Sequence, residues 1–431
     1  MKPFHLGWFL GPGVGPQGWN TPGYPHGYDW TKPDLFQDMA RALERACFDL
    51  LILEDSSTVP DNYGDSMDFY LKNAVMTPKF DPVALVPYLA GVTKHLGIAP
   101  TLTSTFYPPF LLARLLSTHD HFTGGRIAWN IVTATNDRAG QNYGLPGQPE
   151  HDLRYDMADE YIDCVSQLWE SWEPGAVLMD AERGIFADPT KVHPINFEGR
   201  FYRSRGPLNV PRSPQGRPVF IAPGGSPRGR QFSGRNAEVV LAGHADDVEQ
   251  MKDYRDEVHR HAASFGRDPA ACKVMFVFQP HIVRDKAEAL EMQETLARMR
   301  QARMTHTLAA YSYLAGADFA KLDLDTPLPE MKINGMQSLL RTFQSAGPNA
   351  TLREIATASH AFMPIGTADA VAGMMAEAAE GIGGDGFLVQ GHLKPKYVTS
   401  IVDELVPALQ KRGLMRTEYA GATLRENLMA F

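Results

Sequence analysis

Along the chain, short apolar runs rich in β-branched and aromatic residues alternate with longer stretches whose apolar positions recur every three to four residues. The runs Phe4–Leu10, Asp49–Asp55, Leu96–Thr103, Arg126–Thr133, Pro218–Pro223, Glu238–Gly243, Lys273–Val283 and Gly386–Gln390 read as strands. Between them Asp34–Cys47, Val83–His95, Pro109–His121, Arg154–Trp169, Pro227–Asn236, Asp246–Phe265, Asp285–Arg303 and Thr367–Ala379 read as amphipathic helices. Strands that are apolar on both faces and separated by helices belong to a parallel sheet covered by its crossovers. Eight βα units predict a closed (β/α)8 TIM barrel in preference to an open doubly wound sheet, and no helix-opening dinucleotide fingerprint argues for the latter.

Three segments exceed a minimal barrel. Residues 179–216, rich in Pro, Gly and Arg, are too long for a plain connection and predict an ordered excursion. Residues 304–359 predict an insertion at the C-terminal rim, and 396–431 a C-terminal helical extension that either caps the barrel or enters a dimer interface. With no repeat, low-complexity tract or charge run to mark a boundary, residues 1–431 read as one domain.

Composition narrows the function classes. Lys and Arg number 41 against 50 Asp and Glu, a net charge of −9 without any basic cluster, which argues against nucleic acid as a partner. Cys47, Cys164 and Cys272 form no metal or disulfide spacing, so a reducing cytoplasm is the expected compartment. The first residues resemble no targeting peptide, and no apolar run reaches the ~20 residues of a membrane span.

Candidate chemistry gathers at strand ends. Gly13-Val-Gly-Pro-Gln-Gly18 formally matches GxGxxG, but the prolines that follow forbid the helix such a fingerprint must open, so it reads as a rim loop. Trp8, Trp19 and Trp30 crowd that strand and loop, either lining an apolar pocket or packing the loop down. Ala222-Pro-Gly-Gly-Ser226-Pro227 joins a strand to a helix; Gly225 and Ser226 suit a phosphate as well as a simple cap, with Arg228 and Arg230 as nearby charges. Asp55, Thr101, Thr103 and Asn130 lie at three successive strand ends, where a barrel places its active-site face. His151 and Tyr155 share one helical face, as either a surface pair or ligands. No histidine pair has metal-ligand spacing and no GxSxG elbow occurs.

GGRIAWNIVTATN (124–136), HDLRYDMADEY (151–161), FADPTKVHPINFEGRFYRSRGPLNVPRSPQGRPV (186–219), APGGSPRGRQFSGRNAEVV (222–240), DLDTPLPE (323–330) and RGLMRTEYAGATLRENL (412–428) together resemble the nitrilotriacetate monooxygenase component A family of the bacterial luciferase-like superfamily. That resemblance implies a homodimeric or homotetrameric barrel that binds reduced FMN from a separate NAD(P)H:flavin reductase. It also implies that O2 is used, through a flavin (hydro)peroxide, to oxidise a small, apolar or aromatic substrate. It places Asp55, Thr101, Thr103 and Asn130 around the isoalloxazine, His151 and Tyr155 on the flavin side chain, and Gly225 and Ser226 at its phosphate. Where many relatives carry a histidine near the tip of the first strand this chain has Gly11-Pro-Gly-Val-Gly15, which leaves His26 and His306 as the acid/base candidates. The alternatives are a deazaflavin-dependent oxidoreductase on the same barrel and a non-catalytic flavin-binding protein.

Overall fold

The computed structural model describes residues 2–431 except 244–246, 330, 332, 348 and 359–361. Eight parallel strands close into a barrel: β1 (His5–Leu10), β2 (Leu50–Leu53), β3 (Gly97–Thr103), β4 (Ala128–Val132), β5 (Val219–Ala222), β6 (Val239–Ala242), β7 (Lys273–Phe278) and β8 (Gly386–Gln390). They follow one another around the ring in chain order, and β8 returns to pair with β1 from His5↔Gly386 to Phe9↔Gln390. The closing seam is tight: a Cβ on Gly386 would lie 2.4 Å from the His5 carbonyl oxygen, so only glycine fits there.

Alternation along each strand sorts the side chains into two layers. Leu50, Ile52, Ala99, Val219, Ile221, Val239, Met275, Val277 and Leu388 fill the interior, while Leu6, Trp8, Leu51, Leu53, Ile98, Trp129 and Phe276 pack outward against the helices. The crossovers include α1 (Asp34–Arg45), α2 (Pro82–Ala90), α3 (Pro109–Thr123), α4 (His151–Glu170), α5 (Pro227–Asn236), α6 (Val248–Ser264), α7 (Lys286–Ala302), α8 (Met304–Ala315) and α9 (Ala368–Ile382). Caps set several starts: Ser226 accepts from Gly229 N–H ahead of α5, Asp247 from Glu249 N–H ahead of α6, and Thr367 from Ala370 N–H ahead of α9. Position 246, the expected start of the sixth helix, lies outside the described residues.

Two expected elements differ. The run 273–283 is not one strand; it leaves the barrel at Phe278, and His281–Ile282 pairs instead with Ile365–Gly366. Pro280 has no N–H to continue a ladder, which is where the run breaks. The second helix stops at Ala90 rather than His95, because Gly91 and Thr93 turn the chain into β3.

The surplus segments are ordered. Within 179–216, antiparallel ribbons pair Val177–Asp180 with Ile185–Ala187 and Phe197–Glu198 with Arg203–Ser204. Glu160 on α4 anchors the second ribbon by accepting from the N–H groups of Arg200, Phe201 and Tyr202 at 2.7–2.9 Å. The insertion forms α8 and the short helices Ser338–Ser345 and Leu352–Thr357, held by a separate cluster that includes Leu308, Phe319, Phe343 and Ile355; position 359 lies outside the described residues. The tail runs through Pro395–Thr399, a π-helical turn at Ser400–Leu405 and Val406–Lys411. Pro407 removes one N–H from that helix, and the wider turn ahead of it is the usual accommodation.

The end of the tail caps the bottom of the barrel. Leu424 and Leu428 enter the interior cluster, where Gly97 makes room; a Cβ there would sit 2.6 Å from Leu424. Arg425 bonds to the carbonyls of Gln215, Arg217 and Pro218 and pairs with Glu238 at 2.6 Å, and Arg217 reaches the same carboxylate at 2.8 Å. Burial alone would raise the Glu238 carboxyl, but the two guanidinia overcome it and hold it at about 2. Nearby, the buried Asp49 pairs with Arg416 at 2.7 Å and His5 at 3.1 Å.

Glu238→Gln leaves two guanidinia without their shared charge, and we expect a loss of about 3–5 kcal/mol in urea unfolding at neutral pH. Because the folded carboxyl titrates below its unfolded value, the wild-type advantage is full above about pH 4.5 and shrinks as pH falls toward 2; an advantage that persists undiminished to about pH 2 contradicts the pairing.

Candidate functional site

All eight strands point their C-terminal ends at one rim, and the interior-facing residues there change from apolar to polar. On β3, Ala99 is followed inward by Thr101 and Thr103; on β4, Ala128 is followed by Asn130. Asn130 Nδ2 donates to Thr101 Oγ1 at 2.7 Å across the register pair, and both residues are buried. Asn130 Oδ1 is also buried and has no partner, an acceptor aimed into the upper barrel. Thr103 accepts from Thr105 N–H, so its hydroxyl shapes the adjoining loop.

Asp55 follows β2 beside Glu54, whose carboxylate pairs with the buried Lys79 at 2.5 Å. Burial first, then the Glu54 charge, pushes Asp55 up to about 6, against the opposing pull of Lys79. This acid is therefore poised to change charge near neutrality.

The second half of the site lies at the head of α5. Ser226 Oγ accepts from Gly229 N–H at 3.0 Å, and the Tyr155 hydroxyl lies beside it over Gly229. Tyr155 projects from α4 with His151 one turn away, their rings edge to face at 5.2 Å, so the two share a face as their spacing requires. His151 Nδ1 is 2.7 Å from Asp152. A Cβ on Gly229 would lie 2.7 Å from the Tyr155 oxygen, and Tyr254 donates to the Gly224 carbonyl at 2.7 Å. Gly225 is roofed by Ser338 of the insertion, 2.5 Å from where its Cβ would stand, and Arg154 on α4 donates to the Asn334 carbonyl at 2.9 Å. The insertion thus crosses the rim above the α4–α5 side.

The expected charges are not available there. Arg228 pairs with Asp156 at 2.9 Å and Asp159 at 2.7 Å, and Arg230 pairs with Glu257 while lying over the Tyr254 ring. Both guanidinia are already committed to carboxylates, and the cradle that remains is neutral: Ser226, Tyr155 and the backbone N–H groups of the helix start. A hollow of about 280 Å³ beside Arg228, lined by Asp156, Asp159, Gln231, Arg235 and Phe265, sits on the outer helical face away from the strand ends.

Of the tryptophans, Trp8 does not line the mouth. It points outward from β1, fully buried against Phe48 and Tyr397, because alternation on β1 gives the inward places to Gly7 and Phe9. Trp19 and Trp30 stay on the rim loop; Trp19 donates to the Asn73 carbonyl at 3.1 Å, and Trp30 stacks on Phe80 at 5.4 Å. No helix follows Gly18 until α1, as the prolines require. His26 is exposed on that loop against Tyr24, outside the gathered residues. His306, on α8, is enclosed: both ring nitrogens are buried without partners, and the ring meets Phe69 at 5.3 Å.

Two further histidines escaped the sequence reading. His392 follows β8 and its ring lies 3.3 Å from where a Cβ on Gly18 would stand, and Gln390 covers Gly11 in the same way. These residues occupy the space beside the histidine-free tip of β1. His281 follows β7 with Nε2 buried and unpartnered. Burial holds both imidazoles near 4, so they are neutral at physiological pH. The run Gln390-Gly-His-Leu-Lys394 carries the same polar signal as the ends of strands two to four.

This barrel, with a polar interior rim and a neutral anion cradle at a helix start, is the framework of a cofactor-binding oxidoreductase. The luciferase-like monooxygenase family model matches residues 5–386, and the chain belongs to that family. It is 37% identical to dibenzothiophene-sulfone monooxygenase of Rhodococcus erythropolis, over 93% of this chain and 90% of that protein. It is 34% identical to nitrilotriacetate monooxygenase component A of Aminobacter aminovorans, over 99% and 96%. Among solved structures, a riboflavin lyase with modified FMN and riboflavin superposes with a TM-score of 0.90 at 30% identity, covering 100% of this chain and 96% of that one. The chain is a monooxygenase of this family. Among the described residues no helix is long and apolar enough to cross a membrane.

Asp55 binds its proton more tightly folded than unfolded, so its contribution to stability declines as pH rises from about 4 through 6. Asp55→Asn removes that titration. Its melting temperature relative to wild type should be more favourable at about pH 8 than at about pH 4.5, and an equal difference at both removes the buried-acid assignment.

Proposed function

We propose that this protein is the oxygenase component of a two-component monooxygenase. It takes reduced FMN from a separate NAD(P)H:flavin reductase and uses O2 to oxidise a small, apolar or aromatic organic substrate. The observation that carries the reading is the pairing, within a luciferase-like barrel, of the Ser226–Tyr155 cradle with the unpartnered Asn130 carbonyl. The residues present fit such a cofactor. Ser226, Tyr155 and the N–H groups at the head of α5 would hold its phosphate, since a helix start offers unsatisfied donors and a favourable dipole. Asn130 would accept from an N–H edge of its ring, with Thr101, Thr103 and Asp55 around it and His151 beside its side chain. When bound, the reduced flavin supplies the electrons that split O2, one atom going to the substrate and the other to water.

The protein's own part is to orient and to exclude water. Thr101 and Asn130 form a neutral polar shell already organised by their mutual hydrogen bond. The insertion closes over Gly225 and Arg154, which removes bulk water from the α4–α5 side of the mouth. His306, His281 and His392 are neutral, and His306 is the one of the two sequence candidates that the fold encloses. The chain acts as a single unit in this reading, cytoplasmic and self-associating as a dimer or tetramer.

Anaerobic titration with photoreduced FMN should show saturable binding, and addition of O2 with substrate should give an oxygenated product by mass spectrometry. Ser226→Asp sets a carboxylate against the phosphate and should weaken reduced-FMN binding by about tenfold or more, while Tyr155→Phe should weaken it by about 2–10-fold. Unchanged affinity in both variants places the phosphate elsewhere, and no binding by wild type overturns the reading.

A further inference from the structure

Two cations, Arg303 and Lys394, and the neutral His392 meet the first rim loop, and among the described residues no carboxylate pairs with either cation. Arg303, at the junction of α7 and α8, donates from Nη1 to Asn20 Oδ1 at 3.3 Å. Lys394, four residues beyond β8, donates to the Pro22 carbonyl at 2.9 Å. His392 packs against Gly18, and Leu393 N–H is 3.4 Å from Gln17 Oε1. One turn before Arg303 on the same helical face, Arg300 Nε is buried without a partner. All of these side chains are partly buried.

Their charges act on one another. Burial depresses Arg303, Lys394, His392 and His306, and the Arg303 charge adds to the depression of the other three. No carboxylate relieves Arg303 or Lys394 among the described residues. Elsewhere Arg228, Arg230, Arg255, Arg416 and Arg425 each meet an acid, while Arg126, Arg154 and Arg267 each donate to two or more backbone carbonyls. Arg303 and Lys394, by contrast, show one neutral acceptor each among the described residues, which leaves further N–H donors on both for an anion at the rim.

We propose that Arg303, Lys394 and His392 form a subsite that holds an oxyanion of the substrate, a carboxylate or a sulfonate, across the mouth from Ser226. The identification of that molecule as substrate rests on the oxygenase reading, whereas the subsite itself does not. Arg303 supplies a planar fork and Lys394 a point charge, which together suit an oxyanion with two or three equivalent oxygens. The apolar or aromatic body of the substrate would then extend toward His306 and Phe69, which stand edge to face under the insertion.

Calorimetric titration of the full chain with benzoate, benzenesulfonate and the neutral isostere benzamide tests this. The two anions should bind saturably and benzamide about tenfold more weakly or not at all. Arg303→Met and Lys394→Met should each weaken the anions by about tenfold, the effect of one charge-assisted hydrogen bond, while reduced-FMN affinity stays unchanged. Equal binding of benzamide, or anion binding indifferent to both substitutions, overturns the proposal. Loss of FMN binding in these variants with retention in Ser226→Asp also overturns it and assigns the cations to the flavin phosphate. Anion binding with the expected variant pattern in a protein that fails to bind reduced FMN supports the subsite and defeats the oxygenase reading alone. If a variant does not fold, the wild-type protein decides: the imidazole resonances of His392 should move with benzoate and stay with benzamide, and the reverse overturns the subsite.

Discussion

The closing of β8 onto β1 is the constraint from which the rest follows. A parallel barrel has no edge to expose, but it closes only where the seam strands can approach, and here Gly7 and Gly386 carry no side chain that would hold them apart. The helical crossovers return every strand in the same direction, so the eight loops that follow the strands share one rim. The opposite end is then an open apolar bore. Leu424 and Leu428 fill it, and Arg425 fastens that plug to Glu238 and three carbonyls. The residue-424 plug and the residue-130 site are separate uses of one bore, apolar below and polar above.

The rim divides its electrostatic labour. On the α4–α5 side the arginines near Ser226 are neutralised by Asp156, Asp159 and Glu257, and what faces the mouth is a set of neutral donors. Neutral donors and a helix start can accept a phosphate without a long-range field that would draw in competing anions. On the β8–β1 side the position is reversed: Arg303 and Lys394 keep their charge free. Two cations without an acid partner thus stand at one side of the opening. Asp55, near the β2 end, is pushed up to about 6 by burial and the Glu54 charge, so its own charge answers to pH near neutrality.

Much of this architecture was legible in the residues. Periodicity located all eight strands and the crossover helices, because burial on both faces leaves a strand nearly continuous in apolar side chains. Polar residues at strand ends marked Thr101, Thr103 and Asn130, and the Gly-Gly-Ser-Pro junction marked the start of α5. Trp8 was misplaced because composition shows that a tryptophan is near the mouth and not which side of the strand it takes. Arg228 and Arg230 were misjudged for a similar reason: their partners lie 72, 69 and 27 residues away, on α4 and α6, and no local pattern reveals that pairing.

The sequence by itself determined the class of fold, the family and the polar strand ends, since each is written in local periodicity, capping chemistry or contiguous motifs. Only the tertiary structure decided which charges remain free. It paired the arginines beside Ser226, enclosed His306 while leaving His26 in solvent, brought His392 beside the glycines at the tip of β1, and set Leu424 and Leu428 as a plug in the bottom of the barrel. Each of these turns on contacts between segments far apart in the chain, where the energy depends on burial and on the distance between charges. Neither quantity exists until the barrel has closed.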